Sequence, residues 1–156
     1  MTTAEKLVKR LTELGKTCGT AESCTGGGVG SAITSVSGSS AVFWGGIISY
    51  DNSVKHGVLG VSRAILDGVG PVSPECAEQM ATGARKVLGV DYAVSVTGLA
   101  GPGGDGVRPP GYVWFGLAAP DGVTTENVVF PGDRNEVRAA AVEHALGMLL
   151  SASMAQ

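Results

Sequence analysis

Glu22, Ser23, Cys24 and Thr25 stand side by side, and three glycines, Gly26, Gly27 and Gly28, follow them. A plain turn needs one glycine or two. A hydroxyl, a thiol and a carboxylate ahead of backbone without Cβ atoms would let N–H groups approach a small ligand closely. Three readings compete on spacing alone: a structural turn, an anion cradle and a nucleophile. The anion reading has a suitable context, a strand, a glycine-rich turn and a helix start. Its known patterns fail, however. No Lys follows the glycines as a P-loop requires, and Ser31 stands where GxGxxG would place its third glycine.

A hydroxyl nucleophile needs a base, and the chain has two histidines, His56 and His144. His144 falls on the expected buried stripe of the last helix and reads as a packed residue. His56 neighbours Lys55, the better candidate. A Ser–Lys pair can transfer acyl groups if burial lowers the lysine pKa from ~10.4 toward neutrality. Neither familiar lysine spacing is met. Asn52, not Ser, precedes Lys55 by three, and Tyr50 precedes it by five rather than four. The bland readings are a solvated Lys55 and a strand-end Tyr50.

Two more segments could join a site. Thr97 to Gly104 reads TGLAGPGG, a loop able to turn several backbone N–H groups toward one oxyanion or phosphate. Arg134 and Arg138 lie in the first turns of the last helix, where a cation opposes the helix dipole. That placement points to anion binding, against the plain alternative of exposed arginines.

The elements that must position these residues follow from periodicity and punctuation. Leu7, Val8, Leu11 and Leu14 form a helical stripe over 3–14, with Gly15 as its stop. Thr17 to Ala21 is short and β-compatible. The glycines at 26–30 open a second helix to about Ser35. A strand over Ala41–Tyr50 is expected to kink at Gly45-Gly46, and Asn52 to Leu59 reads as a short helix. Ser73-Pro74 starts a helix that runs to Leu88 and stops at Gly89. Tyr92–Val96 is an apolar strand. Tyr112–Ala118 and Thr124–Phe130 form a hairpin about Pro120-Asp121-Gly122. Asp133 with Glu136 caps a final helix that buries Val137, Ala140, Ala141, Ala145, Met148 and Leu149.

This order predicts one α/β domain over 1–156, a three-layer α/β/α arrangement on a mixed, mostly parallel sheet. Ligands in such sheets sit at the carboxyl ends of strands. Glu22–Gly28, Ser49–Lys55 and Thr97–Gly104 are the segments expected there.

The bulk numbers exclude several classes. Hydrophobic residues make up 44% and charged residues 16% of 156, which is a globular rather than a disordered balance. A net charge of −3 with no Lys/Arg run argues against nucleic-acid and anionic-membrane partners. The odd set Cys18, Cys24 and Cys76 has no metal-ligand spacing and reads as reduced thiols in a cytoplasm. The amphipathic N-terminus has no signal-peptide core, and no stretch nears the ~18 apolar residues of a membrane span. No metal or cofactor is called for.

Taken in order, TAESCTGG, GGIISYDNSVKHGVLGV, VSPECAEQMATGARKVLGVDYAVSVTGLAGPGG, GYVWFGLA and FPGDRNEVRAAAVEHAL resemble one family closely. It is the C-terminal domain of the competence/damage-inducible protein CinA, which also occurs free-standing as nicotinamide-nucleotide amidase. The likeness runs from about Ala4 to Leu150. The companion N-terminal domain of the longer members is not in the sequence, so the stand-alone form is expected. The resemblance implies a three-layer α/β/α fold and hydrolysis of nicotinamide mononucleotide to nicotinic acid mononucleotide and ammonia, without metal or cofactor. It implies a homodimer or larger homo-oligomer.

Carried over by position, the catalytic residues are Ser23, Lys55, Tyr50 and Thr97. The substrate-binding positions are Thr25, Gly26, Gly27, Gly98, Gly101, Arg138 and, less directly, Arg134. In the implied mechanism Ser23 attacks the carboxamide, and Lys55 takes its proton directly or through Tyr50. N–H groups after Ser23, or at Thr97–Gly98, hold the oxyanion. The substrate phosphate goes to the helix start after the glycines or to Arg138. Cys24 is the rival nucleophile. The family pattern breaks at Asp105–Gly111, where a usual Thr and Glu are missing, Arg108 replaces Lys and the loop is one residue shorter. The alternative from another class is a catalytically silent nucleotide-binding or regulatory domain.

Overall fold

The computed structural model describes residues 1–155. The elements, in chain order, are α1 Thr3–Leu14, β1 Cys18–Glu22, α2 Gly28–Thr34, a 3-10 turn Ser39–Ala41, β2 Phe43–Ile48, α3 Asn52–Gly57, α4 Arg63–Asp67, α5 Pro74–Leu88, β3 Tyr92–Gly98, β4 Tyr112–Ala119, β5 Gly122–Val129 and α6 Arg134–Met154. Each long helix ends as its sequence dictates. Thr2 and Glu5 cap α1 reciprocally, and Asp133 and Glu136 do the same for α6. The Ser73 side chain accepts from Cys76 N with Pro74 next in line, and Gly89 closes α5 in the left-handed region.

The strands form one sheet in the order β2-β1-β3-β4-β5. β1 pairs in parallel with both β2 and β3, and the β3–β4 and β4–β5 pairs are antiparallel. Four strands thus point one way and β4 alone is reversed, so the sheet is mixed and mostly parallel in direction. The expected kink in β2 is a register slip: Cys18 pairs with Phe43 and Gly19 with Gly45, leaving Trp44 as the extra residue. At the hairpin Ala119 pairs with Gly122, so the turn is only Pro120-Asp121.

Helices cover both faces. Alternation along the strands sends Val94, Val96, Val113 and Phe115 to a core built with α1, α2 and α6, around Leu7, Leu11, Val29, Ile33, Ala141 and Leu149. The opposite face sends Ala21 and Ala93 toward α5 and the 59–66 segment, against Met80, Ala84, Val61 and Leu66. Each large aliphatic side chain buried here is worth about 1.5–3 kcal/mol.

On this second face small residues let α5 lie close to the sheet. Ser95 Oγ donates to Ala77 O at 2.6 Å, and a Cβ at Gly116 would collide with that same carbonyl and lie 2.7 Å from Ser95 Oγ. The close seat fixes the segment that leads into α5, residues 71–73, beside the end of β3.

α4 and the 3-10 turn are additions to the elements the sequence announces. Ala140 is only half-buried, because α6 turns Ala141 and Ala145 inward instead. Among the described residues no helix is long and apolar enough to cross a membrane.

Candidate active site

Because β1, β2 and β3 are mutually parallel and adjacent, their carboxyl ends open together. The three polar segments leave from those ends: Ser23 directly after β1, Ser49 and Tyr50 after β2, and Thr97-Gly98 closing β3. Chain order also reverses here, since β1 sends the chain to β2 on one side and lies against β3 on the other.

Ser23 is held to β3 by its N–H, which donates to Val96 O at 2.9 Å. Lys55 lies on α3, which Asp51 caps through Ser53 N at 2.9 Å. α3 carries Lys55 back under the strand ends, where the side chain is only 1% exposed. Its Nζ donates to Ser49 O at 2.7 Å and Tyr50 O at 3.1 Å, and lies 3.1 Å from Ser23 Oγ. Among the described residues no carboxylate comes within ion-pair distance of it. Burial holds the Lys55 pKa below the ordinary lysine value, against smaller opposing effects of Cys76, Asp51 and Cys24.

The two carbonyls decide what the amine can do. A carbonyl only accepts, so the two N–H groups of a neutral lysine are both taken by Ser49 O and Tyr50 O. Its lone pair then faces Ser23 Oγ, whose proton it can receive. A hydroxyl and an amine in such direct contact can act as nucleophile and base.

The pair opens into a cleft of about 460 Å³ lined by Ser23, Cys24, Tyr50, Asn52, Lys55, Pro71, Val72, Thr97, the 98–104 loop and Arg134. Thr97 forms part of the wall, with its hydroxyl donating to Pro71 O at 2.8 Å. Arg108 donates to Val72 O and pairs with Asp105 at 2.9 Å, tying the divergent loop across to the α5 side. Arg134 stands at the rim. Its guanidinium donates to Gly101 O at 2.6 Å and to the Tyr50 hydroxyl at 3.3 Å.

The structure therefore brings together Ser23, Lys55, Thr97, Gly98, Gly101, Arg134 and Tyr50. Tyr50 meets Lys55 through its backbone carbonyl, while its hydroxyl turns to Arg134, so the contact from Ser23 to Lys55 is direct. Arg138 lies behind the loop rather than in the cleft. Its Nε donates to Cys24 O at 3.1 Å and its Nη2 to Thr25 O at 3.3 Å. Thr25, Gly26 and Gly27 form the turn beneath Ser23 and do not line the cleft. Cys24 does line it, but burial pushes its thiol up to about 11, which leaves little thiolate at neutral pH. His144 pairs with Glu126 at 3.1 Å and packs on Phe115 on the far face.

Glu22 is the residue that sequence reasoning missed. Its carboxylate is buried and accepts from Gly27 N at 3.2 Å, Val29 N at 2.9 Å, Gly30 N at 3.0 Å and Thr20 Oγ1 at 3.4 Å. The start of α2, one of two places expected for a phosphate, is thus filled from within by the chain's own anion. All these partners but one are backbone groups, so only the glycine run itself signalled them.

Residues 1–153 match the model of the CinA C-terminal domain, and the chain belongs to that family. A CinA-like protein of Leptospira borgpetersenii serovar Hardjo-bovis is 50% identical over 93% of this chain and 35% of its own length. The chain thus spans about a third of the length of the curated relatives it matches. The competence/damage inducible protein CihA of Agrobacterium tumefaciens has a crystal structure that superposes with a TM-score of 0.90 at 40% identity, over 97% of this chain and 96% of that one. A CinA superfamily protein of Klebsiella pneumoniae superposes at 0.95 with 30% identity, over 99% and 97%.

Proposed function

We propose that this member of the CinA C-terminal domain family is an amidohydrolase that converts nicotinamide mononucleotide to nicotinic acid mononucleotide and ammonia through an acyl-enzyme on Ser23. The observation that carries the reading is the buried Lys55 amine 3.1 Å from Ser23 Oγ, with its two other hydrogen-bonding directions fixed on carbonyl oxygens. Lys55 accepts the Ser23 proton as Oγ attacks the carboxamide carbon, then delivers it to the departing nitrogen, which leaves as ammonia. Water attacks the ester along the same path. Backbone N–H groups after Ser23 or at Gly98 receive the oxyanion. Thr97, whose proton is committed to Pro71 O, is left to accept an N–H of the carboxamide. Arg134 supplies the cation for the phosphate at the rim, since α2 is closed by Glu22 and Arg138 is engaged with Cys24 O and Thr25 O. Self-association, the other part of the reading, is supported by Trp44 and Ile48, exposed at 59% and 56% on the free edge strand β2.

The test is ammonia release from nicotinamide mononucleotide by the purified protein, beside Ser23→Ala and against plain nicotinamide. Release by the wild type alone, and with the nucleotide alone, supports the amidase. No release, with nucleotide binding still measurable by calorimetry, favours a silent binding domain instead.

A further inference from the structure

Glu22 has no part in the proton transfers above, yet it is among the most enclosed charged groups of the chain, 2% exposed. A carboxylate in such a place is costly unless every lone pair finds a donor. Here each oxygen has two: Oε1 takes the N–H groups of Gly27 and Val29, and Oε2 takes that of Gly30 and the Thr20 hydroxyl. Gly26 and Gly27 have φ of 58° and 100°, the left-handed values that fold the turn back toward the carboxylate. On the other side of the same turn Arg138 holds the carbonyl oxygens of Cys24 and Thr25. The turn is gripped by an anion on its N–H side and a cation on its carbonyl side.

The main chain of Glu22 reaches the base as well. Its carbonyl accepts from Ser49 N at 2.7 Å, and the Ser49 carbonyl is the nearest acceptor of the Lys55 amine. One residue therefore joins the turn that carries the nucleophile to the anchor that aims its base.

We infer that Glu22 is a positioning residue for the Ser23–Lys55 pair, acting through the Gly27, Val29 and Gly30 N–H groups to fix the turn after the nucleophile. The inference rests on the reading of Ser23 as a nucleophile, not on which amide it cleaves. The geometry requires a carboxylate of this length. Gln would set its NH₂ against the N–H of Gly30, and Asp would fall one methylene short.

The test uses Glu22→Gln and Glu22→Asp in the full chain. A fluorophosphonate probe reports Ser23 reactivity by intact mass, at a temperature well below each variant's Tm, and steady-state ammonia release is followed in parallel. Folded variants are expected to label at least tenfold more slowly than wild type. Their kcat falls by a similar factor, with KM within about twofold, because the cleft walls are untouched. A folded variant of either kind that labels at the wild-type rate overturns the inference, since a merely structural carboxylate would change Tm alone. A wild-type protein that does not label at Ser23 overturns it too. Slow labelling of the variants beside a wild type that releases no ammonia from the nucleotide upholds the positioning role and overturns the amidase reading only.

Discussion

Replacing Lys55 by Met removes the amine that touches Ser23 Oγ and keeps an unbranched chain of similar length. A positioned base contributes about 10²–10⁴-fold, or about 2.7–5.5 kcal/mol of barrier. Two carbonyls fix this amine so that, when it is neutral, its lone pair faces the hydroxyl, which places the loss toward the upper end, about 10³–10⁴-fold in kcat/KM. The fold should survive. Ser49 O and Tyr50 O lose their donor, which costs on the order of 1–3 kcal/mol each, while the burden of enclosing an amine disappears.

The pH profile gives the sharper signature. Only unprotonated Lys55 can receive the Ser23 proton, so wild-type kcat/KM should climb with pH through a midpoint below the ordinary lysine value of 10.5 and level off above that midpoint. The residual activity of Lys55→Met should lack that limb. Ammonia release between pH 6 and pH 10, with thermal melts at each pH, measures both. A folded Lys55→Met that keeps more than about a tenth of wild-type kcat/KM refutes the reasoning. So does a wild-type profile that is flat across the range.

Other outcomes follow from the same geometry. Cys24→Ser should stay within about threefold of wild-type activity, because a thiol near 11 has a thiolate fraction on the order of 10⁻⁴ at neutral pH; a loss beyond a hundredfold would make Cys24 the nucleophile. Arg134→Ala should raise KM for the nucleotide about 10- to 100-fold and leave kcat nearly unchanged, the effect of losing one charge-assisted contact of about 1.5–3 kcal/mol. Gly116→Ala should destabilise by about 1–3 kcal/mol in urea unfolding, because the new methyl meets the Ala77 carbonyl of α5, which cannot retreat as a side-chain tip would. Stability should also carry a Lys55 component. The folded pKa is depressed, so between it and 10.5 the unfolded chain binds more protons and stability rises with pH. Urea midpoints of wild type should show this rise, and those of Lys55→Met should lose it.

Much of the scaffold is legible in the sequence because its signals are local. Ser73-Pro74 with Gly89 delimits α5 at both ends, and the Asp133–Glu136 pair starts α6. α4 is a five-residue helix too short to show a period. The contact between Ser23 and Lys55, 32 residues apart, follows from parallel pairing of β1 and β2, which puts both strand ends on one side. Arg134 and Arg138 were harder to tell apart. They lie four residues apart on one face of α6, and only the tertiary arrangement sends one to the Gly101 carbonyl and the other to Cys24 and Thr25. The glycine run misleads for a physical reason. A turn rich in N–H groups looks the same in sequence whether its anion arrives from solution or comes from the chain, and here Glu22 is that anion.

Ser23, Lys55, Glu22 and the Ser49 and Tyr50 carbonyls come from one stretch, Thr20 to Lys55, with Val96 O and Arg138 the supports that reach it from elsewhere. The loop from Leu99 to Gly104, which Arg108 ties to Val72 O, and Arg134 at the rim come from segments after β3. On the proposed reading, the Ser23–Lys55 pair and the cleft's rim are thus written in separate stretches of sequence that meet only in space. On that reading, substitutions in the 99–108 loop or at Arg134 change what enters the cleft and leave the Ser23–Lys55 contact, with the Glu22 and Arg138 holds on its turn, in place. A scaffold arranged in this way can vary the rim of its cleft without rebuilding the pair beneath it.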